Sequence, residues 1–411
     1  MRAGRWGPGM TGLDPAEFLS LVEAAALAPS ADNRREVQLE HAGRRVRLWG
    51  DQTWRSAPEH RRIMSLVAIG AAVENVKLRA GRLGFETKVC WFPDSGNPGL
   101  VAEIDVDRLP QTRVDPIEVA IERRRTNRRV RFRGPPLSQG ELGALSAEAT
   151  GIDGIQLHWF DSPETRKQIL RLVRLAETER FRSRELHEEL FSAVRFDIGW
   201  TASSDDGLPP GSLEVEAWMR PMFRGLRHWR VLRLLRTVGM HHALGLRAAY
   251  LPCRLAPHVG ALTTSLDLAS GALTAGAVFE RIWLRTTLLG AELQPFAASA
   301  VLSLPACEWV APHVRAALVG GWNLLAPGHW PMMVFRIGHA RAPSVRTMRQ
   351  SVEAYCYAPA ERSGSDSESR FRKSSKLFVA GVAHARPPIT ASRTQMSWIP
   401  SLRTCRVNGM K

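Results

Sequence analysis

The order of helical and extended patterns along the chain constrains its fold more than any other feature. A helix begins after Asp14, where Pro15 and Glu17 suit the first turn, and Pro29 ends it. Hydrophobic periodicity then predicts the other elements. The predicted helices are residues 64–82, 138–148, 163–179, 184–194, 272–289 and 312–319, and the predicted strands are residues 37–40, 45–49, 87–92, 100–106, 155–160 and 332–337. Because strands and helices do not alternate strictly, the pattern predicts an α+β fold rather than a doubly wound sheet.

Two segments interrupt this pattern. Residues 196–258 are rich in Gly, Pro, Trp and Arg and have no simple periodicity, which predicts a long irregular insertion of the kind that forms lids. Residues 358–411 lose apolar periodicity and hold ten Lys or Arg against three Asp or Glu, a large part of the chain's formal charge of +16. We predict that these residues form a disordered basic tail.

Several classes of protein are disfavoured by composition and motifs. The five cysteines are scattered, without C-x-x-C pairs or histidines at zinc spacing, so neither a disulfide framework nor a metal site is expected. The apolar stretches 260–279 and 286–305 are interrupted by Asp267, Glu292 and Pro295, which favours buried core segments over membrane spans. No apolar signal segment follows the N-terminus. We therefore expect a cytoplasmic protein with no metal and no membrane partner.

Four short motifs carry the chemical information. Ala28-Pro29-Ser30-Ala31-Asp32-Asn33 directly follows the first predicted helix, and Arg124-Arg125-Thr126-Asn127-Arg128 follows the predicted linker at residues 110–116. Gly290 ends a predicted core helix, where a left-handed residue is expected, and Pro295-Phe296-Ala297 form the predicted turn after it. The last motif is Arg336-Ile337-Gly338, followed by Arg346 and Arg349. Paired arginines beside a hydroxyl suit a phosphate group.

In this order, the motifs resemble those of the nitroreductase superfamily, and specifically its Acg-type branch of FMN-binding proteins. The resemblance implies a nitroreductase-like fold with two related halves, residues 12–109 and 116–350, that form an intrachain pseudo-dimer with residues 196–258 as a lid. It implies one FMN between the halves. The implied cofactor-binding residues are Pro29, Ser30 and Asn33 over the flavin ring and ribityl chain, Arg124, Arg125, Thr126, Arg128 and Arg349 around the phosphate and ribityl oxygens, and Pro295, Phe296 and Ala297 facing flavin N5.

The implied function is an FMN-dependent oxidoreductase that passes two electrons from NAD(P)H to a nitro or quinone-like acceptor. The flavin supplies the redox chemistry, so no catalytic side chain is predicted. Two other readings stay open. The chain could hold FMN without turnover, or the arginine run 123–133 and the basic tail could bind nucleic acid, which we rank last. Flavin absorbance separates the first two readings from the third, and NAD(P)H oxidation separates the first from the second.

Overall fold

The computed structural model describes residues 13–50, 57–110, 112, 114–305 and 307–357. The predicted tail, residues 358–411, lies outside these residues. Helices and antiparallel sheets alternate irregularly, so the α+β class is confirmed. No helix among the described residues is both long and apolar enough to span a bilayer.

The N-terminal part contains two helices and one four-stranded sheet. In chain order its elements are α1 (Pro15–Ala26), β1 (Val37–Ala42), β2 (Arg45–Gly50), α2 (Glu59–Arg82), β3 (Phe85–Trp91) and β4 (Leu100–Arg108). All pairings are antiparallel, in the order β1-β2-β4-β3. Helix α1 begins with a capping box, in which the Asp14 side chain accepts from the Glu17 amide and Glu17 accepts from the Asp14 amide.

The C-terminal part repeats this plan with a long insertion. Its elements are α3 (Gln139–Ala147), β5 (Ile155–Trp159), α4 (Pro163–Arg182), α5 (Arg184–Ser192), α6 (Arg220–Leu226), α7 (Trp229–Leu235), α8 (Met240–Gly245), α9 (Leu251–Arg254), β6 (His258–Thr264), α10 (Leu268–Leu288), β7 (Glu292–Phe296), α11 (Ala298–Val301), α12 (Pro312–Leu325), β8 (Trp330–Gly338) and α13 (Val352–Tyr355). The antiparallel sheet order is β5-β6-β8-β7. In both parts, therefore, a helix, two strands, a long helix and two strands build a sheet in which the last strand lies between the second and third.

The long helices α2 and α10 cross at two glycines in a reciprocal manner. A Cβ atom on Gly70 would lie 2.0 Å from the Leu273 carbonyl oxygen, and one on Gly276 would lie 2.0 Å from the Val67 carbonyl oxygen. Each glycine thus contacts the residue three positions before the other glycine. Such exchange of equivalent contacts is the pattern of a two-fold interface. The small-residue segment around Gly70 therefore serves close helix packing.

The insertion between α5 and β6, residues 196–258, differs from its prediction. We call this segment the cap. It is largely helical and contains α6, α7, α8 and α9, with a π-helical turn at Leu246–Tyr250 between α8 and α9. Its apolar side chains form a cluster with residues of α4 and α5. The prediction of an irregular segment was wrong because the helices are short, four to seven residues, so periodicity does not develop within any of them.

Two strands were missed by the sequence patterns. All seven residues of β6 are buried, so the strand shows no alternation and reads as a general core segment. Strand β7 contains Pro295, which we predicted in a turn. That prediction was wrong: Pro295 is opposite Phe335 on an edge strand, where a missing amide donor is tolerated. Gly290, by contrast, has the predicted left-handed conformation, with φ of 69°.

Candidate functional site

A cavity of about 590 Å³ lies between the end of α1, the helices α2 and α10, strand β7 and the cap. This volume is ordinary for a site that takes a small molecule or cofactor. All eleven residues predicted to bind a cofactor line it: Pro29, Ser30, Asn33, Arg124, Arg125, Thr126, Arg128, Pro295, Phe296, Ala297 and Arg349. Four motifs separated by up to 320 residues therefore meet at one place.

The segment after α1 contributes a sharp backbone turn. Asp32 and Asn33 have left-handed φ values of 58° and 59°, a conformation that Asp and Asn tolerate better than other side chains. The buried Asn33 amide donates to the carbonyl oxygens of Ser204 and Gly207, at 3.4 and 3.1 Å, and its oxygen accepts from Arg349. The Asn33 side chain therefore ties the turn to the cap and to the segment after β8.

The arginine-rich segment is attached to the edge strand β7. Thr126 forms a parallel bridge with Leu293, and the backbone N–H of Asn127 donates to the Leu293 carbonyl oxygen at 3.1 Å. Arg125 donates to Glu292 through Nε, at 3.1 Å, and through Nη2, at 2.5 Å. These contacts hold the segment beside Pro295 and Phe296 and leave the Arg125 guanidinium with a carboxylate partner.

Arg124 is buried in a different way. Its Nη2 donates to the Leu27 carbonyl at 2.7 Å, its guanidinium lies 4.5 Å from the centre of the Trp283 ring, and its Nε lies 3.3 Å from Glu280 Oε1. Burial raises the pKa of Glu280 to about 7, against the opposing charge of Arg124. Burial also lowers the pKa of Arg124, which the charge of Glu280 opposes. Near neutral pH the negative charge of Glu280 therefore does not fully balance the positive charge of Arg124.

Arg128 and Arg349 add positive charge to the same wall of the cavity. Burial is the main reason that the pKa of both guanidinium groups is lowered to about 10, and for Arg349 the charges of Arg124 and Arg346 contribute to this. Within the described part of the chain, Arg128, Arg346 and Arg349 form no ion pair, and Arg124 pairs with Glu280 alone. Four arginines beside two carboxylates, Glu280 and Asp32, favour the binding of an anion.

A second polar cluster lies on the cavity wall and was not predicted. Arg61 donates to Asp32 and to Glu189, both at 2.6 Å, and His60 Nε2 lies 3.3 Å from Glu189 Oε1. Burial alone would raise the pKa of Glu189, but the His60 hydrogen bond and the Arg61 charge lower it. Two signals for this cluster are present in the sequence, the His-Glu-Glu run at 187–189 and the basic segment at 60–62, but only the ion pairs between α2 and α5 join them.

The cap contributes apolar side chains to the wall of the cavity. These are Leu208, Leu213, Val215, Met219, Phe223, Leu244 and Ala248. The tryptophans of the cap, Trp200, Trp218 and Trp229, are not among the described residues that line the cavity. Trp200 packs on Phe223 and Trp229 on His187, while Trp218 is 79% exposed.

Comparisons with known proteins give matches among solved structures. The nitroreductase with bound FMN from Bacteroides fragilis is 14% identical, covering 56% of this chain and 90% of its own, with a TM-score of 0.30. The nitroreductase-like family protein from Bacillus cereus is 12% identical, with coverages of 61% and 99% and a TM-score of 0.33. The FMN-dependent nitroreductase NfnB from Mycobacterium smegmatis, in complex with NADPH, is 16% identical, with coverages of 59% and 97% and a TM-score of 0.33. No family model and no curated protein matches the chain.

Proposed function

We propose that the chain is an FMN-dependent oxidoreductase of the nitroreductase type, with FMN in the cavity described above. The observation that carries the proposal is the convergence of all eleven motif residues on one cavity whose wall holds an undercompensated arginine cluster. The motifs named these residues from the sequence, and the fold brings them together around one cavity. A phosphate dianion is the kind of group that such an arginine cluster binds.

The residues present fit FMN in chemistry as well as in space. Arg128 and Arg349 would hold the phosphate, with Arg124 behind them and the Thr126 hydroxyl beside them. Pro29 and Ser30 would lie against one face of the ring system, and Pro295, Phe296 and Ala297 would border its redox-active edge. When bound, FMN accepts two electrons as hydride from NAD(P)H and passes them to a nitro or quinone-like acceptor.

We further propose that residues 12–109 and 116–350 are two related halves that form a pseudo-dimer within one chain. The repeated order of elements, the identical strand order of the two sheets and the reciprocal glycine contacts of α2 and α10 support this. The two halves have diverged at the site: the turn at Ser30 comes from the first, whereas the arginine segment and Arg349 come from the second. One complete FMN site per chain follows.

The FMN site is tested by comparing two arginines of the same run. Arg128→Ala removes a cavity-lining cation, whereas Arg123→Ala removes an exposed arginine that does not line the cavity. Loss of a charge-assisted contact to phosphate costs roughly 1.5–3 kcal/mol, so Arg128→Ala should weaken FMN binding by about one to two decades. Fluorescence titration of the unliganded protein measures this. Equal FMN affinity in both variants would remove Arg128 from the site.

The alternative function, an FMN holder without turnover, is favoured by the cover that the cap places over the cavity. Steady-state NAD(P)H oxidation by the flavin-loaded chain decides between the two. The nucleic-acid reading receives less support, because Arg124, Arg125 and Arg128 of the run face Glu280, Glu292 and the cavity instead of a continuous outer surface.

We also propose that the cap limits access to the flavin. Neighbouring residues provide the test, because Met219 lines the cavity and Trp218 points away from it. Met219→Ala opens the apolar wall and should speed reduction of bound flavin by dithionite severalfold, while Trp218→Ala should not. Stopped-flow absorbance follows the reaction. If both variants are reduced at the rate of the unaltered protein, the cap does not limit access.

A further inference from the structure

The outer surface of the cap combines positive charge with exposed apolar side chains. From Ala217 through Leu266 the chain contains eight arginines and neither Asp nor Glu, whereas the average of 40 acidic residues in 411 would give about five in a segment this long. Arg224, Arg227, Arg230 and Arg233 of this segment are exposed. Exposed positive charge is therefore concentrated in the inserted segment, without acidic residues between the arginines.

Large apolar side chains are exposed among these arginines. Of the twelve exposed large hydrophobic residues in the described part of the chain, five fall within 21 residues of the cap: Trp218, Met222, Val231, Leu234 and Val238. Trp218, Leu234 and Val238 are 79%, 70% and 77% exposed. An apolar cluster of this kind on a soluble surface indicates an interaction site.

Helix α7 shows how the two properties share one face. Leu232 is fully buried against the cap's core, and the opposite face presents Val231 and Leu234 to solvent. Arg230 and Arg233 occupy the positions directly before these two residues and are also exposed. Exposed arginines and exposed apolar side chains thus alternate on one side of α7, while Leu232 packs the helix against the rest of the cap.

We propose that this outer face, formed by Ala217–Met219, α6, α7 and Val238, docks on the surface of an anionic lipid bilayer. Arginines attract anionic headgroups, while Trp, Leu and Val enter the boundary between headgroups and acyl chains. Nucleic acid would satisfy the arginines but leave Val231, Leu234 and Val238 in water, so a bilayer matches the whole face better. This is surface binding, and it revises the expectation of no membrane partner without requiring a spanning helix.

Docking in this way has a consequence for the cavity. The inner face of the same segment supplies Met219 and Phe223 to the apolar wall, so the docked cap would place that wall beside the bilayer. The electron acceptors favoured by this arrangement are those that partition into lipid. This part rests on the proposed function, whereas docking itself does not.

Sedimentation with vesicles tests the docking face. The full-length, flavin-loaded protein is mixed with vesicles of phosphatidylcholine alone or of phosphatidylcholine with phosphatidylglycerol. We expect binding to the second and little to the first. Leu234→Ser and Arg230→Glu should each weaken binding about tenfold. The matched controls are Leu324→Ser, 73% exposed on α12, and Arg123→Glu, exposed in the arginine run, and both should bind like the unaltered protein.

Three results would overturn the docking proposal. The first is no binding to anionic vesicles, and the second is binding that the cap variants reduce no more than their controls do, which would assign it elsewhere, including to residues 358–411. The third is binding of duplex DNA or RNA, in place of vesicles, with the same sensitivity to Arg230→Glu. Flavin content is measured on every variant, so failure of the FMN site is recognised separately from failure of docking.

Discussion

At the scale of single residues, the site depends on how buried charges compensate one another. Glu280 is fully buried beside Arg124, and burial raises its pKa from an ordinary value of 4.5 to about 7. Between these two values the folded chain binds more protons at this position than the unfolded chain. The contribution of Glu280 to stability therefore falls as the pH rises from about 4.5 to about 7, and is constant above that.

Glu280→Gln removes this titration. We expect the unfolding free energy of the unaltered protein, relative to that of Glu280→Gln, to decrease by roughly 2–3 kcal/mol between pH 5 and pH 8. Urea denaturation of the two unliganded proteins at both pH values measures the change, because titrations common to both proteins cancel. A difference that stays constant with pH would contradict the assignment of a raised pKa to Glu280.

The sequence motifs named eleven residues of the cavity wall, but not the contacts of those residues. Each motif is local, so Ser30, Thr126 and Ala297 could be named without knowing what surrounds them. Whether an arginine faces a ligand or a carboxylate depends on residues that are distant in the sequence. Glu292 forms an ion pair with Arg125, and Glu280 forms one with Arg124. The pairing of Arg61 with Glu189 likewise requires α2 and α5 to pack together, and short-range patterns carry no information on that.

At the scale of elements, the crossing of α2 and α10 brings the backbones of the two long helices into close contact. Alanine normally stabilises a helix interior by about 1 kcal/mol over glycine. At Gly70 and Gly276 its Cβ would overlap a carbonyl oxygen, so Gly70→Ala and Gly276→Ala should instead destabilise the chain by a few kcal/mol. Thermal or urea unfolding measures this.

Gly143 in α3 is the control, since it is exposed and nothing lies within 4 Å of a Cβ built on it. Gly143→Ala should raise stability by roughly 0.5–1 kcal/mol. Should Gly70→Ala and Gly276→Ala also raise stability, the two helices do not approach each other as closely as described.

Several of the elements that the sequence predicted have clear periodicity. Helix α4 and the hairpin of β1 and β2 expose one face and bury the other, so their apolar residues recur at regular intervals in the sequence. Strand β6 is buried on both faces, and the helices of the cap are too short for a period to appear. Their structure comes from tertiary packing, which a local pattern does not contain.

At the scale of the whole molecule, the proposed pseudo-dimer would provide within one chain what two chains otherwise provide. Each proposed half contains one four-stranded sheet and one long helix, and the residues proposed for FMN are divided between the halves. On this proposal, a second copy of the chain is not required to complete the site. This predicts that cofactor binding is independent of self-association.

Titration of FMN into the unliganded monomer tests most directly whether one FMN binds in the cavity between the proposed halves. Native mass spectrometry at each step reports the assembly state and the number of flavins together. We predict a monomer that gains a single FMN, with saturation at one per chain. A monomer that gains none, or flavin found in dimers alone, would contradict it.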